Sequence, residues 1–204
     1  MSASSTIIQE LETMQKSGLA SLAFHYFDFR EDGKKDRRGL LSSVLSQLCK
    51  QSDPYHDVIS TFYSTSDRGT RSPSDNELAE CLKHLLKLPG QAPVYLIVDA
   101  LDECPDTSEV SSPRENILIL LEDLIDLQLP NLHICVTSRP EADIKLVLEP
   151  LAFRSVSLHD ESGQMEDIEK YINSVVNTSR KMRRWKAEHK QLVIDVLTDR
   201  ADGM

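Results

Sequence analysis

Two apolar runs, Val94-Tyr95-Leu96-Ile97-Val98 and Leu132 to Val136, flank a segment whose apolar residues Ile117, Leu118, Leu121, Leu124 and Ile125 recur at helical spacing. A β, α, β order of this length leaves few folds open. Two strands joined by such a crossover lie parallel in one sheet, with the right-handed sense that nearly all such units share. The chain therefore reads as α/β, a parallel sheet flanked by helices.

Each run ends in groups that suit a ligand. After Val98 come Asp99, the small Ala100, Leu101, Asp102 and Glu103; after Val136 come Thr137, Ser138, Arg139, Pro140 and Glu141. Parallel sheets bind ligands at the carboxyl ends of their strands. Carboxylates there suit hydrated Mg²⁺, and a guanidinium at the same edge suits the oxygens of a terminal phosphoryl group. On this reading Asp99 is the Mg²⁺ or Mg²⁺-water ligand. Asp102 or Glu103 orients an attacking water, and Arg139 with Ser138 contacts nucleotide. The plainer alternatives are a solvated acidic turn, an arginine paired with a neighbouring acid, and Thr137 and Ser138 as turn formers before Pro140. The matched pair of strands favours the ligand reading. A Gly-rich phosphate loop with its lysine is absent from the 204 residues.

The formal charge of −10 and pI near 5.1 oppose a phosphate-backbone field, so nucleic acid is not an expected partner. Cys49, Cys81, Cys104 and Cys135 are far apart, without zinc spacing, and His25 and His133 fall inside strand-like runs as core or sheet residues. No metal site built from histidine or cysteine is expected. Neither a membrane span nor a signal core is recognisable, which points to a cytoplasmic setting. The basic run Arg180, Lys181, Arg183, Arg184 and Lys186 around Trp185 reads as a solvated helix flank.

Elsewhere, Thr6 to Lys16 reads as a helix stopped by Gly18, and Leu19 to Phe29 as a strand followed by a polar turn from Arg30 to Asp36. Leu40, Leu41, Val44, Leu45 and Leu48 mark a second helix. Asp53-Pro54 breaks the pattern, and a short helix covers Tyr55 to Tyr63. Ser64 to Pro73 reads as a mobile loop; Ser74 or Asp75 caps a helix carrying Leu78, Cys81, Leu82, Leu85 and Leu86, which ends at Pro89-Gly90. Glu115 to Leu127 is the crossover helix. Ala142 to Leu148 is a short helix, Phe153 to Leu158 a further strand, and Glu166 to Val176 and Trp185 to Leu197 are helices.

Val94 to Glu103 resembles the extended Walker B motif of NACHT-type P-loop NTPases of the STAND class, and Leu132 to Pro140 is similar to their sensor strand. The wording is close to fungal NACHT proteins and to the nephrocystin 3-like N-terminal domain. Leu22 to Phe29 with Leu40 to Leu48 resembles the family's second strand and helix. Asp167 to Ile172 resembles its Asp-Ile-x-x-Tyr-Ile segment, and Ala201 to Met204 the start of an Ala-Asp-Gly-Met-Phe motif. In relatives a segment similar to Ser5 to Gln9 follows the phosphate loop, which places the loop's Lys-Ser pair at or before Met1.

The resemblance implies a P-loop NTPase-like sheet lacking its first strand and phosphate loop, with residues 5–160 as the α/β core and 161–204 as the start of a helical extension. It further implies Mg²⁺ with ATP or GTP as cofactors, protein partners reached through effector and repeat domains, homo-oligomers of the full-length protein, and neither nucleic acid nor membrane as partner. The resulting expectation is an NTPase core fragment of a signal-transduction switch, binding nucleotide poorly as it stands and unstable alone. The rivals are a non-enzymatic NACHT-derived scaffold and an unrelated Mg²⁺-dependent phosphohydrolase that uses Asp99 as a nucleophile.

Overall fold

A computed structural model describes residues 3–65, 71–107, 112–157 and 162–200. The chain forms two compact units, Met1–Ala152 and Phe153–Met204. In the first, the elements run α1 (Ala3–Lys16), β1 (Ser21–Tyr26), α2 (Arg37–Cys49), α3 (Asp53–Thr65), α4 (Asp75–Leu86), β2 (Val94–Asp99), α5 (Pro113–Ile125), β3 (Leu132–Val136) and α6 (Ala142–Leu148). The second contains α7 (Ser162–Thr178) and α8 (Ala187–Arg200).

The three strands form one parallel sheet in the order β1-β2-β3. The expected α/β architecture is thus present, with β2 at the centre. Side chains alternate across the sheet. Ala23, Leu96 and Val98 face a core built with Leu41, Leu48, Leu85, Leu121 and other residues of α2, α4 and α5; Ile134 and Val136 pack against the same core. Leu22 and Ile97 face the opposite way, onto Ile8 and Leu11 of α1. Both faces therefore carry helices, and the apolar stripes of the sequence are the faces that turn inward.

Local chemistry fixes the element ends. Gly18, at φ +69°, ends the α1 segment in the left-handed conformation that costs glycine nothing. Ser74 caps α4 in a reciprocal box with Glu77, and Ser112 caps α5, whose first residue is Pro113. Asp53-Pro54 opens α3 instead of breaking the pattern, because a proline in the first turn gives up no helical hydrogen bond. The first strand is shorter than expected, since Phe27 to Phe29 already belong to the turn that follows.

The strand expected over Phe153 to Leu158 is not formed. Residues 153–157 are irregular, Phe153 and Val156 are exposed, and Leu158 lies outside the described residues. Apolar residues at 153, 156 and 158 do not keep the period of two, and an extended segment without a pairing partner leaves its backbone groups to water. Residues 66–70 of the expected loop and the Ala201 to Met204 motif also lie outside the described residues. Trp185 sits in a turn ahead of α8, not within it.

The two sheet edges differ. Along β1, the outward N–H groups of Leu22 and Phe24 donate to the side-chain oxygens of Gln51 (2.9 Å) and Gln47 (3.1 Å). The amide nitrogens of the same two glutamines donate back to the Leu22 and Phe24 carbonyls. Four residues apart, Gln47 in α2 and Gln51 in the turn just past its C-cap, they reproduce the ladder a neighbouring strand would supply. Among the described residues, β3 pairs with β2 alone. The Thr137 N–H donates to the Val98 carbonyl, so the alternation of a parallel ladder turns the N–H groups of Ile134 and Val136 toward the far edge.

Candidate functional site

The pairing register determines what meets at the carboxyl rim. Val98 lies opposite Val136 and Tyr26 opposite Asp99, which brings the residue after β3, Thr137, beside Asp99. The Thr137 hydroxyl donates to Asp99 Oδ1 in a short bond and accepts from the Ala100 N–H at 3.1 Å. The Leu101 N–H donates to the Thr137 carbonyl at 3.0 Å. Asp99 Oδ2 has no protein hydrogen bond among the described residues.

Ala100 adopts the left-handed conformation, φ 56° and ψ 48°, and turns the chain sharply out of β2 into a 3₁₀ turn over Leu101–Glu103. The turn is anchored by Leu101 and Cys104, both wholly buried. Burial pushes the Cys104 thiol up to about 12, so it stays protonated, and its Sγ–H donates to the Lys35 carbonyl. Between these anchors Asp102 and Glu103 are held partly exposed. Asp102 Oδ1 accepts from the Arg139 N–H at 3.0 Å, and its Oδ2 lies 3.5 Å from the Arg139 Nε. The Arg139 side chain is 82% exposed. Its guanidinium thus stands in solvent at the rim with a weak tether.

Asp99, Asp102, Thr137 and Arg139 therefore meet on adjacent strand ends. Glu103 follows Asp102 in the same turn, and its charge, after that of Asp28, contributes to raising the Arg30 pKa. Ser138 is exposed, and its hydroxyl donates to the Arg139 carbonyl at 2.8 Å. Among the described residues no group of three or more His, Cys, Asp or Glu side chains is arranged to hold a metal ion. The donor set still fits Mg²⁺, which keeps most of its waters and takes one or two carboxylates along with substrate phosphates. Asp99, with one oxygen committed to Thr137 and the other without a hydrogen bond among the described residues, could hold such an ion.

Two neighbours escaped sequence reasoning. Tyr26 flanks Asp99 from β1, and burial followed by the Asp99 charge raises its phenol pKa. Arg114, in the first turn of α5, has its guanidinium beneath the acidic turn. Nothing in its local sequence distinguishes it from a solvated helix residue; the signal for Tyr26 was its place at the end of an apolar run.

A family profile described as Nephrocystin 3, N-terminal matches residues 2–139. The chain belongs to that family. The Nephrocystin 3 N-terminal match takes in all three strands and ends at Arg139, so both halves of the rim lie inside it. No curated protein and no solved structure matches the chain. No helix among the described residues is long and apolar enough to cross a membrane.

Proposed function

We propose that this chain carries the Walker B and sensor elements of a NACHT-type NTPase, the core of a signal-transduction switch that acts on Mg²⁺ with ATP or GTP. The observation that carries this reading is the joining of Asp99 to Thr137 across neighbouring parallel strands, with Asp102 and Arg139 at the same rim. In it, Asp99 holds the metal, whose chemistry is to draw charge from the phosphoryl oxygens. Asp102 or Glu103 orients the attacking water, and Arg139, aided by Ser138, meets the terminal phosphate. Thr137 fixes the Asp99 carboxylate before substrate arrives.

No G-x-x-x-x-G-K-[ST] occurs in the 204 residues, so tight nucleotide binding is assigned to a form of the protein that carries such a loop. In that form Asp99→Asn abolishes Mg²⁺-dependent hydrolysis while the fold is kept; unchanged turnover removes Asp99 from the site. A cytoplasmic location, a fungal type of defence signalling, homo-oligomer formation and partners on effector or repeat domains are part of this proposal.

One observation favours a non-enzymatic scaffold as the second reading: Asp99, Asp102 and Ser138 each already have a protein partner. A scaffold binds its protein partner equally with and without Mg²⁺-ATP, and a switch does not. Partner affinity measured under both conditions separates the two.

A further inference from the structure

Arg114 is buried, 8% exposed, and an arginine so placed is tolerated only where its donors are engaged. They are engaged in an unusual way. Nε donates to the Cys104 carbonyl at 3.0 Å and Nη2 to the Asp102 carbonyl at 2.8 Å, while Nη1 pairs with Asp143 Oδ2 at 3.2 Å. Its own N–H donates to the Pro105 carbonyl at 3.2 Å. The guanidinium thus grips the backbone of the turn whose side chains form the rim, and its third arm reaches α6, the helix that follows the Thr137 to Glu141 loop.

These contacts close a ring. Asp102 caps the Arg139 N–H, the chain runs from Arg139 into α6, Asp143 of α6 pairs with Arg114, and Arg114 returns to the Asp102 carbonyl. We propose that Arg114 is the positioning residue of the rim, setting the acidic turn in register with the Thr137 to Arg139 loop and, through Asp143, tying that register to α6. It touches no reacting atom. A shift of α6 is then transmitted to the acids through one planar fork. Lysine cannot replace it, because a single ammonium cannot span the three acceptors. The consequence for turnover rests on the nucleotide reading above; the consequence for the turn does not.

Hydrogen exchange on the intact chain tests the structural half. Arg114→Lys should speed exchange about tenfold in peptides covering 99–106 and 137–143, the equivalent of losing one charge-assisted hydrogen bond. Peptides from α2 and from residues 94–98 of β2 should be unchanged. Equal loosening throughout a folded variant, or no loosening at the rim, overturns the proposal. Should Arg114→Lys fail to fold, Asp143→Asn decides it, with selective loosening of the same two segments expected and unchanged exchange overturning it. In a form that hydrolyses nucleotide, Arg114→Lys should lower kcat about tenfold with KM nearly constant, because an unsettled acid misplaces water without weakening ground-state binding. Unchanged kcat overturns the positioning role. Absence of turnover in the wild-type protein instead refutes the nucleotide reading, and the exchange result still decides Arg114.

Discussion

At the scale of single residues, Thr137 bears more than its place in a turn requires. Its hydroxyl serves the Asp99 carboxylate and the Ala100 N–H together, at the point where the chain leaves β2 in a left-handed conformation. Thr137→Val keeps the shape and removes both bonds, and should cost about 1–3 kcal/mol because the groups left behind are partly buried. Thr137→Ser, which keeps the hydroxyl, should recover most of it. Denaturant midpoints measure the difference, and a valine variant as stable as wild type would show that water replaces the hydroxyl without loss. Sequence alone left Thr137 open between turn former and site residue. The acids were legible because a run of apolar residues ending in carboxylates is a local pattern. Arg114 was not, because burial of a guanidinium depends on a turn ten residues earlier folding back beneath it.

At the scale of elements, the helices were readable from their stripes and their ends from caps, with errors where the decisive partner is remote. The α4 cap gives a measurable pH dependence. The Ser74 N–H and hydroxyl, with Arg71, hold the Glu77 carboxylate down at about 2, against an ordinary value of 4.5. A depressed carboxylate stabilises the fold fully above its ordinary value and loses that contribution as pH falls toward the depressed one. The wild-type chain should therefore lose α4 stability between about pH 4.5 and 2. Glu77→Gln should flatten that part of the acid unfolding curve; parallel curves for the two proteins would remove Glu77 from the cap. The failed strand at Phe153 to Leu158 teaches the complementary lesson. A helix satisfies its own backbone, whereas a strand exists only where another strand is offered, and no local composition supplies that.

At the scale of the whole molecule, the parallel pairing of β2 with β3 followed from one β, α, β unit, but the place of β1 beside β2 and the inequality of the sheet's flanks did not. The inequality arises from Gln47 of α2 and Gln51 in the turn past its end, whose contacts with the strand no local pattern in the sequence announces. With β1 closed by Gln47 and Gln51 and β3 paired on one side, amide protection should be lopsided. The N–H groups of Ile134 and Val136 should exchange at least about tenfold faster than those of Leu96 and Val98 in the central strand, as residue-resolved exchange by NMR would show. Equal protection would mean that something covers β3 in solution.

The glutamine pair has a genetic corollary. Positions 47 and 51 are read twice by the fold, once in the end of α2 and the turn that closes it and once as a surrogate strand, so a mutation harmless to that local structure can still unzip β1. Tolerance to change at these two positions should consequently track the amide side chain and not mere polarity, with glutamate or lysine at either place behaving as a lesion of the sheet.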